Sequence, residues 1–462
     1  MAEEFECSKS KYEVDMTQGS ILRHLVRFSI TVTLTGLLQL LYNTVDAIVV
    51  GQFAGKEALA AVGSTSSLIN LLITMFIGLS VGASITLAKF YGEGNGRGVS
   101  DTAHTAIALS AVCGLFIGVV GYFLAEPLLL LMGVPDDIIQ LSTTYMRLFF
   151  VSMPFSFVNV FGSAVLRAVG DTKRPLYILI ASGILNLILN LIFVIVFKMS
   201  VAGVAWGTVF SSALSAILVL RVLTHTEGMI RIIPKKLRIR WSVLKSIVRI
   251  GLPAGLEGAM FGISNVMIQS AINSFGSLAV AANAIAVNLQ SFVYNMLQSI
   301  NQACMTFTSQ NMGAGRFRRV RRSPLLTVAL VTLSGFMLSV IMLVFAQPLT
   351  QMFNGDPEVL RLSVQRMQYT FPLYFVFGLM QTFTSQMRGM GHSFMPMLVS
   401  VTGICGIRIG WLYTFFAATP TLPMLYIGYP VSWATTMAIL IVCYVVILRK
   451  LPRTDLCAAQ EA

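Results

Sequence analysis

Charge is what this chain has least of. Asp, Glu, Lys and Arg make up 11% of its 462 residues, while 56% are apolar. A soluble protein carries about a quarter charged residues, so a water-exposed globular surface is excluded. Cysteine is also sparse. The six present, at 7, 113, 304, 405, 443 and 457, form no CxxC and do not cluster with the four histidines. That excludes a disulfide framework and a zinc site and leaves them as small apolar fillers. Serine and histidine are nowhere arranged as a nucleophile pair. The glycine-rich stretch 92–98, GEGNGRG, has neither a preceding strand nor a following GKS or GKT, so it is not a phosphate loop. These absences predict no catalytic site, no metal centre and no cofactor, and the chain is not expected to be an enzyme. Residues 1–15 are polar and acidic, and no small-residue cleavage site follows an apolar run. The first span is therefore expected to serve as the insertion signal.

Apolar sequence fills the chain instead. Twelve stretches reach the roughly 20 residues needed to cross about 30 Å of hydrocarbon. They are 25–50, 64–88, 102–125, 142–166, 174–198, 203–224, 246–272, 284–308, 324–346, 362–386, 396–418 and 425–448. The predicted fold class is an all-α polytopic membrane protein of twelve transmembrane helices. The net charge of +13 follows topology and is no nucleic-acid patch. Arg231, Lys235, Lys236, Arg238, Arg240, Lys245 and Arg249 follow the sixth stretch; Arg316, Arg318, Arg319, Arg321 and Arg322 follow the eighth. The alternate loops hold Glu126, Asp136, Asp137, Asp356 and Glu358. This positive-inside pattern predicts a multi-pass protein of the plasma or bacterial inner membrane, with both termini cytoplasmic, membrane lipid as a partner and no nucleic acid. Met16 to Phe28 is expected to lie at the cytoplasmic surface as a short amphipathic lead-in.

The chain repeats itself at an offset of 221 residues. Gly55-x-x-Ala58-x-Ala60-Ala61 recurs as Gly276-x-x-Ala279-x-Ala281-Ala282, and Gly92-x-Gly94-x-x-Arg97 as Gly313-x-Gly315-x-x-Arg318. Leu166-Arg167-x-x-Gly170 becomes Met387-Arg388-x-x-Gly391. Each copy holds six spans, and an even number preserves orientation. Two six-helix lobes are therefore related by a parallel pseudo-two-fold repeat, the arrangement of transporters whose halves rock about a central site. The expected division is a cytoplasmic segment 1–24, an N-lobe 25–224, a basic linker 225–245, a C-lobe 246–448 and a cytoplasmic tail 449–462.

Three ionisable residues lie deep in the stretches: Asp46, Glu257 and Arg408. A charge at the centre of a membrane helix costs about 2.5–3.5 kcal/mol on insertion scales, which makes each a candidate for function. Gln39, Asn43 and Asp46 follow one another at steps of four and three, so one polar face is predicted. A lone Arg408 needs a partner. Glu257 is the candidate, giving a buried charge pair in the C-lobe. The eighth stretch is polar along Asn288, Gln290, Asn295, Gln298, Asn301 and Gln302.

Several motifs resemble the multidrug and toxic compound extrusion (MATE) family. They are Val45-Asp46 to Gly51 at the end of the first span, Leu166 to Pro175 (LRAVGDTKRP), Gly251-Leu252-Pro253, and Gly262 to Asn265. The resemblance covers about residues 16–450. It implies a twelve-helix, cation-coupled antiporter that exchanges H+ or Na+ for organic, mostly cationic or amphipathic, compounds. It also implies that Asp46 is the coupling acid of the first span, and that Asn186 and Thr208 help shape the N-lobe polar site. Asn190 stands where the family often has Asp, Phe377 where one branch has an acid, and Thr31 where a proline is usual.

A lone carboxylate in a low-dielectric lobe takes up a proton readily. With Asn43, Asn186, Asn190 and Thr208 it also offers oxygens to a small cation. Because Asn190 replaces a second carboxylate, H+ is favoured over Na+ as the coupling ion. The expected function is export of a small organic substrate by alternating access, carried out by a monomer. By the resemblance, Gln39, Asn265, Gln269, Asn288 and Gln298 border the substrate path. Two alternatives stay open. A lipid-linked saccharide flippase of the same superfamily needs a basic cavity, whereas two of the three deep charges here are acids. A non-transporting receptor or scaffold has no use for two matched lobes.

Overall fold

In lipid every backbone N–H and C=O must be satisfied within the protein, so an apolar segment of spanning length folds as a helix. The computed structural model describes residues 12–456, the side chains of residues 47, 56, 59 and 67 excepted. Cys7 and Cys457 lie outside the described residues. Every regular element among them is helical. In order these are α1 (Ile21–Val49), α2 (Lys56–Gly92), α3 (Gly96–Leu131), α4 (Ile139–Ala168), α5 (Lys173–Leu191) and α6 (Ser200–His225). After the basic segment come α7 (Trp241–Asn273), α8 (Ser277–Gly313), α9 (Phe317–Val344), the short α10 (Ala346–Gln351), α11 (Pro357–Thr370) and α12 (Tyr374–Gly389). The chain closes with α13 (Phe394–Ser400), α14 (Ile407–Trp411) and α15 (Leu422–Lys450).

Among the described residues, eleven helical segments are long and apolar enough to span a membrane. The tenth expected stretch is broken between α11 and α12. Pro372 falls at the break, where it has no N–H to continue the ladder. With that pair the twelve-span layout is complete. The repeat reappears in the helix bounds. Helices α2 and α8 both run 37 residues, and their first residues, Lys56 and Ser277, stand 221 positions apart. The turns after α4 and α12 close on Gly170 and Gly391 at φ of 84° and 88°, a region that side chains rarely enter.

The chain falls into two compact units: residues up to 15 with 34–251, and 16–33 with 252 onward. Their borders lie inside α1 and α7, not in the basic linker. Lipid tails are as apolar as leucine, so helices associate through close packing and interhelical hydrogen bonds. In the first unit Gly114 and Gly118 of α3 meet the backbone of Pro154 and Phe150 in α4, and a Cβ would come within 2.7 and 2.9 Å of it. In the second unit the core is built around Trp433, Tyr426, Phe307 and Phe371. The described cysteines are free thiols; Cys304, Cys405 and Cys443 are buried and Cys113 is half-buried.

Met16 to Phe28 is held by the second unit on one side, while Gln18, Leu22, Arg23 and Arg27 stay exposed. Met16 and Leu25 are buried. The Met16 N–H donates to Gln310 Oε1 at 3.0 Å, and the Arg319 guanidinium donates to Met16 O at 3.0 Å and Gly19 O at 2.7 Å. These backbone groups have side-chain partners where a surface segment would rely on water.

Candidate polar sites in the two units

Asparagines four apart on a helix share a face, and Asn186 and Asn190 put theirs toward α1 and α6. Asn190 Nδ2 donates to Asp46 Oδ1 at 2.6 Å and to Asn186 Oδ1 at 2.8 Å. Asn186 Nδ2 donates to Ser211 Oγ at 3.3 Å, and that hydroxyl also meets Tyr42 OH at 3.1 Å. Both asparagines are buried. Gly207 of α6 makes the approach possible, because a Cβ there would collide with Asn190 Oδ1. A cavity of about 240 Å³ opens beside the carboxylate, lined by Tyr42, Val45, Asp46, Gly183 and Asn186 among apolar neighbours.

The helices that carry this cluster are irregular just beyond it. Helix α1 runs into a π-helical turn at Val50–Ala54, and α5 into another at Ile192–Val196. Such turns shift the register by one residue and collect at functional positions. From Ile30 to Ile48 no described side chain of α1 is buried. Along this stretch the hydrogen bond from Asn190 to Asp46 ties α1 to α5, beside the contact of the Tyr42 ring with Gly183.

The predicted polar face of α1 divides. Gln39 and Asn43 are both exposed and pair with each other, Gln39 Nε2 donating to Asn43 Oδ1 at 3.4 Å. A step of three residues leaves Asn43 about 60° around the helix from Asp46, and Tyr42 takes its place at the cluster. Thr208 contributes its carbonyl, which accepts from Ser211 Oγ at 3.1 Å, while its hydroxyl donates to Val204 O at 3.0 Å. Sequence reasoning missed Ser211 and Tyr42. Their signal was helical spacing, three residues after Thr208 and four before Asp46.

The expected Glu257–Arg408 pair in the second unit does not form. Glu257 Oε2 accepts from Arg388 Nη2 at 2.5 Å, and both side chains are largely buried. Arg388 had been read only as part of the turn motif after the tenth span. It lies in the last turn of α12, where it reaches Glu257 of α7. Arg408 instead donates Nε to Ser432 Oγ at 3.1 Å and Nη1 to Asn265 Oδ1 at 3.3 Å, with its guanidinium 4.5 Å from the Tyr429 ring centroid. Sequence reasoning also missed Arg366, 2% exposed on α11 although it lies inside the tenth apolar stretch. Its Nη1 donates to Asn283 O at 2.6 Å. Among the described residues, the deep charges of this unit are thus Arg366, Arg388, Arg408 and Glu257, where the sequence reading had one arginine and one glutamate.

The remaining candidates are mostly tied to neighbours. Gln269 Oε1 accepts from Asn283 Nδ2 at 2.7 Å, joining α7 to α8. Gln298 Nε2 donates to Tyr294 OH at 3.1 Å. Asn301 accepts from Thr382 Oγ1 at 2.7 Å and donates to Gly378 O at 3.2 Å. Asn288 and Asn265 are exposed.

A family model described as MatE matches residues 32–192 and again 253–414, the second match beginning 221 positions after the first. The chain is 27% identical over 443 residues to the probable multidrug resistance protein YoeA of Bacillus subtilis, covering 94% of this chain and 96% of that one. It is 28% identical over 340 residues to an FAD transporter of Shewanella oneidensis, covering 71% and 73%. A solved structure described as MATE in the straight conformation superposes with a TM-score of 0.90 at 20% identity, covering 96% of this chain and all of that one.

Proposed function

The chain belongs to the MatE family of multidrug efflux transporters, so it is a multi-pass membrane transporter and not an enzyme, and on that premise we propose that it is a proton-coupled antiporter exporting amphipathic organic compounds by alternating access. The observation that carries this reading is Asp46, a single carboxylate held by Asn190 among amides and hydroxyls, with a cavity beside it. A sodium ion draws several oxygens, carboxylates above all, and Asn190 stands where a second one would be needed. A proton needs only the one.

The bond between Asn190 and Asp46 is charge-assisted, about twice as strong as a neutral one. Protonation of Asp46 removes that assistance. The α1–α5 link then weakens where α1 has little packing and where π turns can absorb a change of register. A proton biases the two access states only through its different affinity for each, and this link is where that difference arises. Both termini face the cytoplasm in this reading, and a monomer carries out the transport. The relatives include a probable multidrug resistance protein and an FAD transporter, so the family leaves the substrate open.

Proteoliposomes with an imposed pH or Na+ gradient test the reading, using a fluorescent amphipath such as rhodamine 6G. Inward-directed protons should drive its transport, and Asp46→Asn should abolish the drive. Transport indifferent to either gradient would sink the antiport reading. Drive by Na+ alone would replace the proton. Intact coupling in the variant would remove Asp46 from the mechanism. Flippase activity toward lipid-linked saccharides is a second reading, favoured by Arg366 and Arg408. A flippase would not move the soluble dye across the bilayer at all.

A further inference from the structure

The second unit carries more buried positive charge than it neutralises. Arg366 is 2% exposed and Arg408 8%. Neither has a carboxylate partner among the described residues, because the unit's deep glutamate, Glu257, is taken by Arg388. Removing an ion from water costs several kcal/mol even after the protein relaxes. Such a cost is sustained where a counter-charge arrives as part of the function.

The surroundings of the two arginines are built for such an arrival. A guanidinium has five N–H donors. Arg366 spends one on Asn283 O at 2.6 Å and one on Gln290 Oε1 at a long 3.5 Å, and its Nε is buried with no acceptor. Arg408 spends one on Ser432 Oγ and one on the exposed Asn265. Both guanidinium groups lie against the same ring, Tyr429, at 6.0 and 4.5 Å from its centroid. Tyr429 stands 5.9 Å from Trp433, which in turn contacts Tyr374 and Phe377 at 5.3 and 5.7 Å. Two guanidinium groups without a carboxylate partner among the described residues, one of them with a buried Nε that has no acceptor, thus adjoin a cluster of aromatic rings. Asn265 links Arg408 to the surface of the unit.

We propose that Arg366, Arg408 and the Tyr429–Trp433 wall form a binding site for an organic anion, a carboxylate or phosphate carried on an aromatic body. The arginines grip the charged group in the fork geometry that suits planar oxyanions, and the rings take the apolar remainder. That this ligand is the exported substrate rests on the antiporter reading above; that the site binds it does not. A solely structural use of the two arginines, Arg366 tying α11 to α8 and Arg408 tying α14 to α7 and α15, predicts no preference between anions and cations.

Equilibrium binding to the purified full chain in a neutral detergent, with no gradient imposed, tests the proposal. The probes are naphthalene-2-carboxylate, its matched cation 2-(aminomethyl)naphthalene, and phosphatidylglycerol as a competing lipid anion. The wild type should bind the carboxylate at least about tenfold more tightly than the cation. Arg366→Gln and Arg408→Gln should each weaken the carboxylate by about tenfold or more, as loss of a charged hydrogen-bond partner does, and leave the cation within about twofold. Arg408→Lys, which keeps the charge but loses the fork, should fall between. Absence of any preference in the wild type overturns the proposal, whatever the fate of the variants. A carboxylate affinity unchanged in both glutamine variants overturns it as well. Binding of phosphatidylglycerol with none of the soluble carboxylate makes this a lipid site and overturns the aromatic anion. A failed binding assay with intact proton drive would defeat only this proposal, and the converse only the coupling reading.

Discussion

Among the described residues, the first unit holds Asp46 among amides, with Arg167 at the end of α4; the second sets Glu257 against Arg388, the repeat counterpart of Arg167, and adds Arg366 and Arg408. The backbones match closely, with helices that begin and turns that close 221 residues apart. Arg388 has Arg167 at its repeat-related position, but the other buried charges do not match. Asp46 has Met267 at its repeat-related position, Glu257 has Gly36, Arg366 has Tyr145 and Arg408 has Leu187. Helix lengths and turns keep a fold as long as they stay apolar or locally satisfied. A deep charge has to be compensated wherever it occurs, so each unit keeps only those it compensates or uses. The repeat therefore conveys geometry, and each unit carries its own polar residues.

That contrast breaks first, and with the largest effect, at Glu257. Glu257→Gln strands Arg388 in the interior and should cost about 3–5 kcal/mol, the usual penalty for breaking a buried pair. Asp46→Asn leaves an amide among amides and should cost less than about 1 kcal/mol. Thermal melts of the two variants in detergent compare them directly, and equal losses would erase the distinction between a structural pair and a lone functional acid. The double variant with Arg388→Gln should recover most of the Glu257→Gln loss.

Asn190→Asp sharpens the contrast from the other side. It sets a second carboxylate beside Asp46, and sodium should then raise the melting temperature where it has no effect on the wild type. A melt that stays indifferent to sodium would mean that the oxygens around Asp46 are not free to close on a cation. Asn190→Ala should cost about 1 kcal/mol, the scale of an interhelical hydrogen bond in a membrane.

The smallest effect is expected at the turns. Asp171 is buried and pairs with Arg174 Nε at 3.2 Å, whereas His392 at the same position of the second copy is exposed. Asp171→Asn should lower stability by about 1 kcal/mol, and His392→Asn should stay within about 0.5 kcal/mol of the parent. Equal responses would mean that the two turns are held in the same way after all.

Much of this was legible before any coordinates. The apolar stretches, the offset of 221 and the depth of Asp46 are properties of the chain read along its length. So is Arg366, but only five residues into the tenth stretch and close after Arg361 it reads as part of a loop end, where a charge meets water. The face of α1 was legible only in part. Steps of four and three put Gln39, Asn43 and Asp46 near one another, but which edge of that arc turns inward depends on what packs against it. Met16 to Phe28 carried an amphipathic pattern that suits a membrane surface equally well, and the partners in α8 and α9 drew it into the second unit.

The sequence alone determined that this is a twelve-span helical protein built from a parallel repeat, because spanning length and hydropathy are local quantities and a repeat is a comparison of the chain with itself. Only the tertiary structure decided the partners. Arg388 answers Glu257 from 131 positions away, and Arg408 is left with Tyr429 and Ser432. Pairing depends on which faces of distant helices meet and at what depth, and no local property of either helix records that.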